Sequence, residues 1–208
     1  MYVKICGLDT PKNAAVAVAA GADAVGVVVC ERSPRHRTTA EAATILGGLP
    51  AGVDGVLVVA DLPVATALAV ASEIGADVLQ LHGAYGRADV ETAVAGHPRV
   101  WWATTLAALT AEGEARRTVG AWGEDALLLD APVPGAGERW DLAALDGARP
   151  EGRWLLAGGL GPDNVADAVR AARPWGVDVS SGVEGVRGVK DPARIRAFVE
   201  QARLTPGG

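Results

Sequence analysis

A thiol, a carboxyl, an imidazole and an ammonium group recur at one kind of place in this sequence, the ends of short β-branched or leucine-rich runs. Cys6 closes "YVKIC" one residue before a glycine, with Lys4 two residues upstream. Gln80 and His82 alternate in "DVLQLH", Asp130 ends "ALLLD", and Asp178 and Ser180 alternate in "VDVSSG". Such side chains can exchange protons with a bound molecule or hold its polar atoms. In an extended strand, alternate residues point to opposite faces. Val3 and Ile5, Leu127 and Leu129, and Val177 and Val179 then take one face, leaving Lys4, Cys6, Gln80, His82, Asp130, Asp178 and Ser180 on the other. A purely structural role would bury several polar groups, each costing about 1–3 kcal/mol unless hydrogen-bonded. A cysteine alone often serves as a small core hydrophobe, but Asp130 at a matching strand end argues for chemistry at Cys6.

The elements that must position these groups alternate along the chain. Strands are expected near 2–6, 24–29, 54–59, 77–81, 99–103, 126–130, 153–157 and 176–180, and helices near 11–20, 39–47, 63–74, 87–95, 105–117, 140–145, 162–172 and 191–202. Repeated βα units imply a parallel sheet, and eight of each is the count of a closed barrel. Thr10-Pro11, Gly161-Pro162 and Asp191-Pro192 mark helix starts, because proline loses nothing at the first helical position. Glycines interrupt the fifth helix, and the sixth is short. An open doubly wound sheet would carry a GxGxxG loop after its first strand, and none occurs. The expected fold is a single-domain (βα)8 TIM barrel over residues 1–208, with its active site at the C-terminal ends of the strands.

Two loops on that face suit an anion. "LLAGGLGPDNV" places Gly158 and Gly159 after the seventh strand, and "VDVSSGVEG" places Ser180, Ser181 and Gly182 after the eighth, ahead of a possible small extra helix. Glycines let backbone N–H groups approach a phosphate closely. The seventh and eighth loops are where this fold usually binds one. A phosphorylated small-molecule substrate is expected.

Composition narrows the partners. With 25 acidic against 19 basic residues the formal charge is −6, and the scattered Lys and Arg suit neither nucleic acid nor a membrane surface. Apolar runs such as "AVGVVV" and "GVLVVA" fall far short of the roughly 18 residues of a membrane span, and the N-terminus lacks the apolar segment of a secretory leader. A cytoplasmic protein, monomer or homodimer, is expected. Cys6 and Cys30 form no disulfide framework, and His36, His82 and His97 have no metal-ligand spacing, so neither a metal nor another cofactor is expected. Cys30 is expected to be buried, His36 and the run "EGEAR" to lie at the surface, and the tryptophans to pack, with one of Trp101 and Trp102 a candidate for the site.

The stretches "KICGL" (4–8), "GADAVGVVV" (21–29), "SPR" (33–35), "QLHG" (80–83), "LLLDAPVPGAGERWD" (127–141), "LAGGLGPDNV" (156–165) and "VDVSSGVEGVRGVKD" (177–191) together resemble the phosphoribosylanthranilate isomerase family of tryptophan biosynthesis. The resemblance implies an Amadori rearrangement of an aminoaldose to a 1-amino-1-deoxyketose. It implies Asp130 as general acid, Cys6 as general base and Arg35 as partner of the anthranilate carboxylate, with Lys4, Gln80, His82 and Asp178 around the substrate. A base of this kind calls for a lowered thiol pKa, and an acid for a raised carboxyl pKa. Departures from the family pattern at "VVVC", "AYGRAD" and "VWWATT" are expected beside the aromatic ring. The rival readings are the bifunctional isomerase of histidine and tryptophan synthesis, another phosphate-binding barrel such as an epimerase or lyase, and a catalytically silent barrel. The first of these carries an acidic residue where Cys6 stands.

Overall fold

The computed structural model describes residues 1–131, 140, 145 and 147–204. Eight parallel strands close into a barrel in sequence order: β1 (Tyr2–Ile5), β2 (Ala24–Val29), β3 (Asp54–Val59), β4 (Val78–His82), β5 (Val100–Thr105), β6 (Ala126–Asp130), β7 (Trp154–Leu156) and β8 (Gly176–Val179). The seam pairs β1 with β8, in the register Lys4 opposite Asp178. Around the barrel lie α1 (Pro11–Ala20), α2 (Thr39–Leu46), α3 (Val64–Ile74), α4 (Arg87–Gly96), α5 (Leu106–Ala111), α6 (Val165–Ala172) and α7 (Pro192–Arg203).

Strand parity sorts the interior from the shell. Val3, Ile5, Leu127, Leu129, Val177 and Val179 pack outward against the helices, while Cys6, Val56, Val58, Val78, Trp101 and Leu128 pack together inside the barrel. At the N-terminal end the interior is plugged by Tyr2, stacked on Trp175 at 4.4 Å and edge-on to Trp101 at 5.9 Å. That aromatic plug leaves the opposite end of the barrel for polar groups.

Helix starts follow local chemistry at two of the three proline signals. The Thr10 hydroxyl accepts from Asn13 N–H ahead of Pro11, and the Asp191 carboxylate accepts from Ala193 and Arg194 N–H ahead of Pro192. The third differs: α6 begins at Val165 rather than 162, because Asn164 folds back to accept from Gly161 N–H and donate to Gly159 C=O. The fifth helix is also shorter than expected. It stops at Ala111, Gly113 takes φ +90°, and a 3-10 turn follows over Glu114–Arg117. The helix expected over 140–145 lies largely outside the described residues. After β8 the possible extra helix is a 3-10 turn, Ser181–Val183, followed by an unexpected antiparallel hairpin, β9 (Glu184–Val186) and β10 (Val189–Lys190).

Arg116, expected on a solvated face, is buried. Its guanidinium lies 4.4 Å from the ring centre of Trp102 and 4.1 Å from that of Trp122, and it donates to Glu124 at 2.8 Å. Glu124 also accepts from Gly120 and Trp122 N–H. Removing one partner of a buried pair strands the other charge, typically at about 3–5 kcal/mol. Glu124→Ala is therefore expected to lower the urea unfolding midpoint markedly; an unchanged midpoint would show that Arg116 needs no counter-charge.

Candidate active site

Cys6 lies one residue beyond β1, with its backbone N–H bonded to Val179 C=O of β8. The thiol turns inward over Lys4, whose ammonium donates to Asp178 at 2.8 Å and is wholly buried. Gly26 makes room for both: a Cβ there would stand 3.1 Å from the Cys6 sulfur and 3.2 Å from Lys4 Cε. Asp130, at the end of β6, accepts from its neighbour Ala131 N–H at 2.8 Å and lies 3.8 Å from His82 Nε2. Gly158, at φ +80°, is required beside it, because a Cβ would meet Asp130 Oδ1 at 2.5 Å.

These groups surround a cavity of about 280 Å³ at the C-terminal end of the barrel. Its walls include Cys6, Gln80, His82, Asp130 and Asp178 on the barrel floor, with Arg35, Gly158, Gly159, Ser180 and Ser181 from the loops. Of the remaining expected site residues, two are elsewhere. Lys4 lies beneath the floor, turned to Asp178. Gly182 stands behind the wall, where a Cβ would come within 1.9 Å of the Leu160 carbonyl oxygen; its smallness serves close packing of two loops. Cys30, expected to be buried, is half-buried in the cavity wall, and its N–H donates to His36 Nδ1.

Only one of the three family departures reaches the cavity. Val28 and Cys30 of "VVVC" line it. Tyr85 of "AYGRAD" instead bonds through its hydroxyl to the Leu62 backbone, and Trp102 donates to Tyr85 C=O. Trp101 is sealed inside the barrel, so neither strand-5 tryptophan lines the site.

Burial dominates the electrostatics. It pushes the Asp130 carboxyl up to about 6, with Asp178 adding to the rise and the Ala131 N–H and Lys4 opposing it. Burial also lowers His82 below the ordinary imidazole value. The same effect raises the Cys6 thiol, against the pull of Lys4 and Lys190, so the lowered thiol pKa that the sequence reading called for is not found. Lys4 resists the desolvation of its ammonium because Asp178 holds the charge in place.

A buried charged cluster behind Arg35 was missed in the sequence. Glu184 takes both Arg35 Nε and one terminal nitrogen, at 2.6 and 3.2 Å, and also accepts from Lys190 Nζ at 2.9 Å. Although burial opposes it, these donors and Gly188 N–H hold Glu184 at about 2. Lys190 also donates to the Ser180 carbonyl and hydroxyl. The available signal was Glu184 and Lys190 flanking the glycine-bounded "GVRG", the pattern of a small hairpin with its charges at the base. Among the described residues no group of three or more His, Cys, Asp or Glu is gathered as metal ligands would be, and no helix is long and apolar enough to cross a membrane.

A sequence profile of the family described as N-(5'phosphoribosyl)anthranilate (PRA) isomerase matches residues 3–201. The chain belongs to this family. An N-(5'-phosphoribosyl)anthranilate isomerase of Thiobacillus denitrificans is 41% identical, over 98% of both chains. A crystal structure of TrpF from Jonesia denitrificans is 55% identical, with a TM-score of 0.89 over 98% of this chain and 97% of that one. A phosphoribosylanthranilate isomerase solved with reduced 1-(o-carboxyphenylamino)-1-deoxyribulose 5-phosphate is 30% identical, with a TM-score of 0.83 over 98% and 99%. The isomerase family thus accounts for the barrel and for the quoted stretches that surround the cavity.

Asp130 holds its proton more tightly when folded, at about 6, than at the ordinary carboxylate value of 3.8. The folded state is therefore favoured at low pH, and that contribution is lost as pH rises through 6. Asp130→Asn removes the penalty and is expected to stabilise the protein by about 3 kcal/mol at pH 7.5, the gain fading towards pH 4. Denaturant titration at both pH values checks this; a variant less stable than wild type at pH 7.5 would contradict it.

Proposed function

We infer that the chain catalyses the Amadori rearrangement of N-(5'-phosphoribosyl)anthranilate to 1-(2-carboxyphenylamino)-1-deoxyribulose 5-phosphate, an aldose-to-ketose isomerisation in tryptophan biosynthesis. Membership of the family supports the reaction. The observation that best supports this site for it is a buried carboxyl whose pKa is raised to about 6, facing the same cavity as a thiol.

In this reading Asp130 gives its proton to the furanose ring oxygen, and the C1–O bond breaks to leave an open-chain iminium. Cys6, as thiolate, removes the C2 proton, and its electron pair forms the enolamine. Transfer of the enol proton and protonation at C1 then yield the ketone. Each step is a proton transfer or a bond shift within the substrate, so no cofactor enters. Gln80, His82 and Asp178 contact the sugar, and Lys4 acts through Asp178 by holding its carboxylate in place. Gly158, Gly159, Ser180 and Ser181 receive the phosphate on backbone N–H and hydroxyl groups, with Gly182 packing their loops together. Arg35 has one edge on Glu184, and its other edge is free for the anthranilate carboxylate, a geometry that suits a planar fork.

Residues 1–208 act in this proposal as one domain, in the cytoplasm, as a monomer or homodimer. One relative from Thermotoga maritima is described as a dimeric protein from which monomers were made. Positioned acid or base groups typically contribute about 10²–10⁴ in rate. Cys6→Ser and Asp130→Asn are each expected to lower kcat by about 100-fold or more while the far-UV circular dichroism stays unchanged. A fluorescence assay of N-(5'-phosphoribosyl)anthranilate consumption measures this, with the histidine-pathway aminoaldose as second substrate. Full turnover in either variant would remove that residue from the mechanism, and turnover of both substrates by wild type would make the enzyme bifunctional.

A further inference from the structure

The basic side chains around the cavity are unevenly engaged. Lys4 is matched by Asp178, and Lys190 and Arg35 share Glu184. Arg187 also lines the cavity, from the turn between β9 and β10, and it is exposed. Among the described residues, Arg187 is the one Lys or Arg in the cavity wall with no carboxylate partner. Its place is set by its neighbours. Gly188 N–H donates to Glu184 Oε2 at 3.0 Å, and a Cβ on Gly188 would stand 2.7 Å from the Pro34 carbonyl oxygen. The turn therefore leans closely on the loop that carries Arg35.

We propose that Arg187 is a specificity-determining residue, the second cation that recognises the carboxylate on the aromatic amine of the substrate. This rests on the function proposed above. Arg35 reaches that carboxylate with its charge already shared with Glu184; the cluster's one net positive charge is spread over Arg35 and Lys190, and Lys190 is turned to Glu184 and Ser180. Arg187 adds a full unmatched charge to the same side of the cavity. The phosphate is the less suitable partner. Its glycine and serine loops pack against one another through Gly182 and the Leu160 carbonyl, whereas the hairpin turn rests on Pro34, next to Arg35.

The test compares two substrates, N-(5'-phosphoribosyl)anthranilate and the analogue built on aniline, which lacks only the carboxylate. For Arg187→Ala the KM for the first is expected to rise about fivefold, the size of one exposed charge pair. The kcat is expected to stay within about twofold, Arg187→Lys to recover part of the loss, and the aniline analogue to show no change. Added salt should weaken wild type towards Arg187→Ala on the carboxylated substrate alone. An unchanged KM, or an equal loss on both substrates, overturns the proposal; equal loss would assign Arg187 to the phosphate or to the hairpin. If wild type consumes neither substrate, the proposed function fails. Binding of reduced 1-(o-carboxyphenylamino)-1-deoxyribulose 5-phosphate then decides the inference: weaker binding by Arg187→Ala supports it, and equal binding, or none by wild type, overturns it.

Discussion

The active end of the barrel depends on the ion pair between Lys4 and Asp178. The two residues face each other across the seam where the first and last strands meet, so closure of the sheet and placement of the charges are one event. Taking two charges out of water is expensive, and a buried pair is tolerated only with good geometry and further partners. Here the 2.8 Å contact lies under the Cys6 thiol, with Gly26 leaving space for the lysine stem. A misregistered seam would strand both charges, which makes the pair a strong discriminator between the native closure and a strand slip.

The same pair acts on both the proposed acid, Asp130, and the proposed base, Cys6. Asp178 raises Asp130 and Cys6, and Lys4 lowers both. Those influences oppose one another, and burial is the leading cause for each group. Burial favours the neutral form of a carboxyl and of a thiol alike. For an acid this is an advantage, since a carboxyl held at about 6 keeps a larger protonated fraction near neutral pH than an ordinary one. For a base it reduces the thiolate population, but the thiolate that does form is a stronger base towards carbon-bound hydrogen. Lys4 beneath and Lys190 at the side moderate the first effect.

Much of this arrangement was legible in the chain because strand parity is a local property. Val3 and Ile5 against Lys4 and Cys6, or Leu129 against Asp130, can be assigned from adjacent residues alone, and the observed interior follows them. The Thr10 and Asp191 caps are local for the same reason. What escaped notice depends on distance along the chain. Arg35 meets Glu184 across 149 positions, and no periodicity reports such a pairing. Arg116 looked like part of a solvated run because its two tryptophans and Glu124 converge only after folding. Glycine was easy to find and harder to interpret: Gly158 clears space for a carboxylate and Gly182 for a carbonyl, and both look alike as turn residues.

The hairpin after β8 is fastened at its base and unconstrained at part of its tip. Glu184 and Lys190 are buried in the cluster that also anchors Ser180, whereas Val186, Arg187 and Val189 are exposed. These three lie outside the barrel seam and outside the proposed acid–base pair. With Arg187 in its proposed role, the molecule separates inheritance of its chemistry from drift in its choice of molecule. A lineage could retune which aromatic amine it accepts by editing a few codons around position 187, while every residue on the barrel floor stayed as it was.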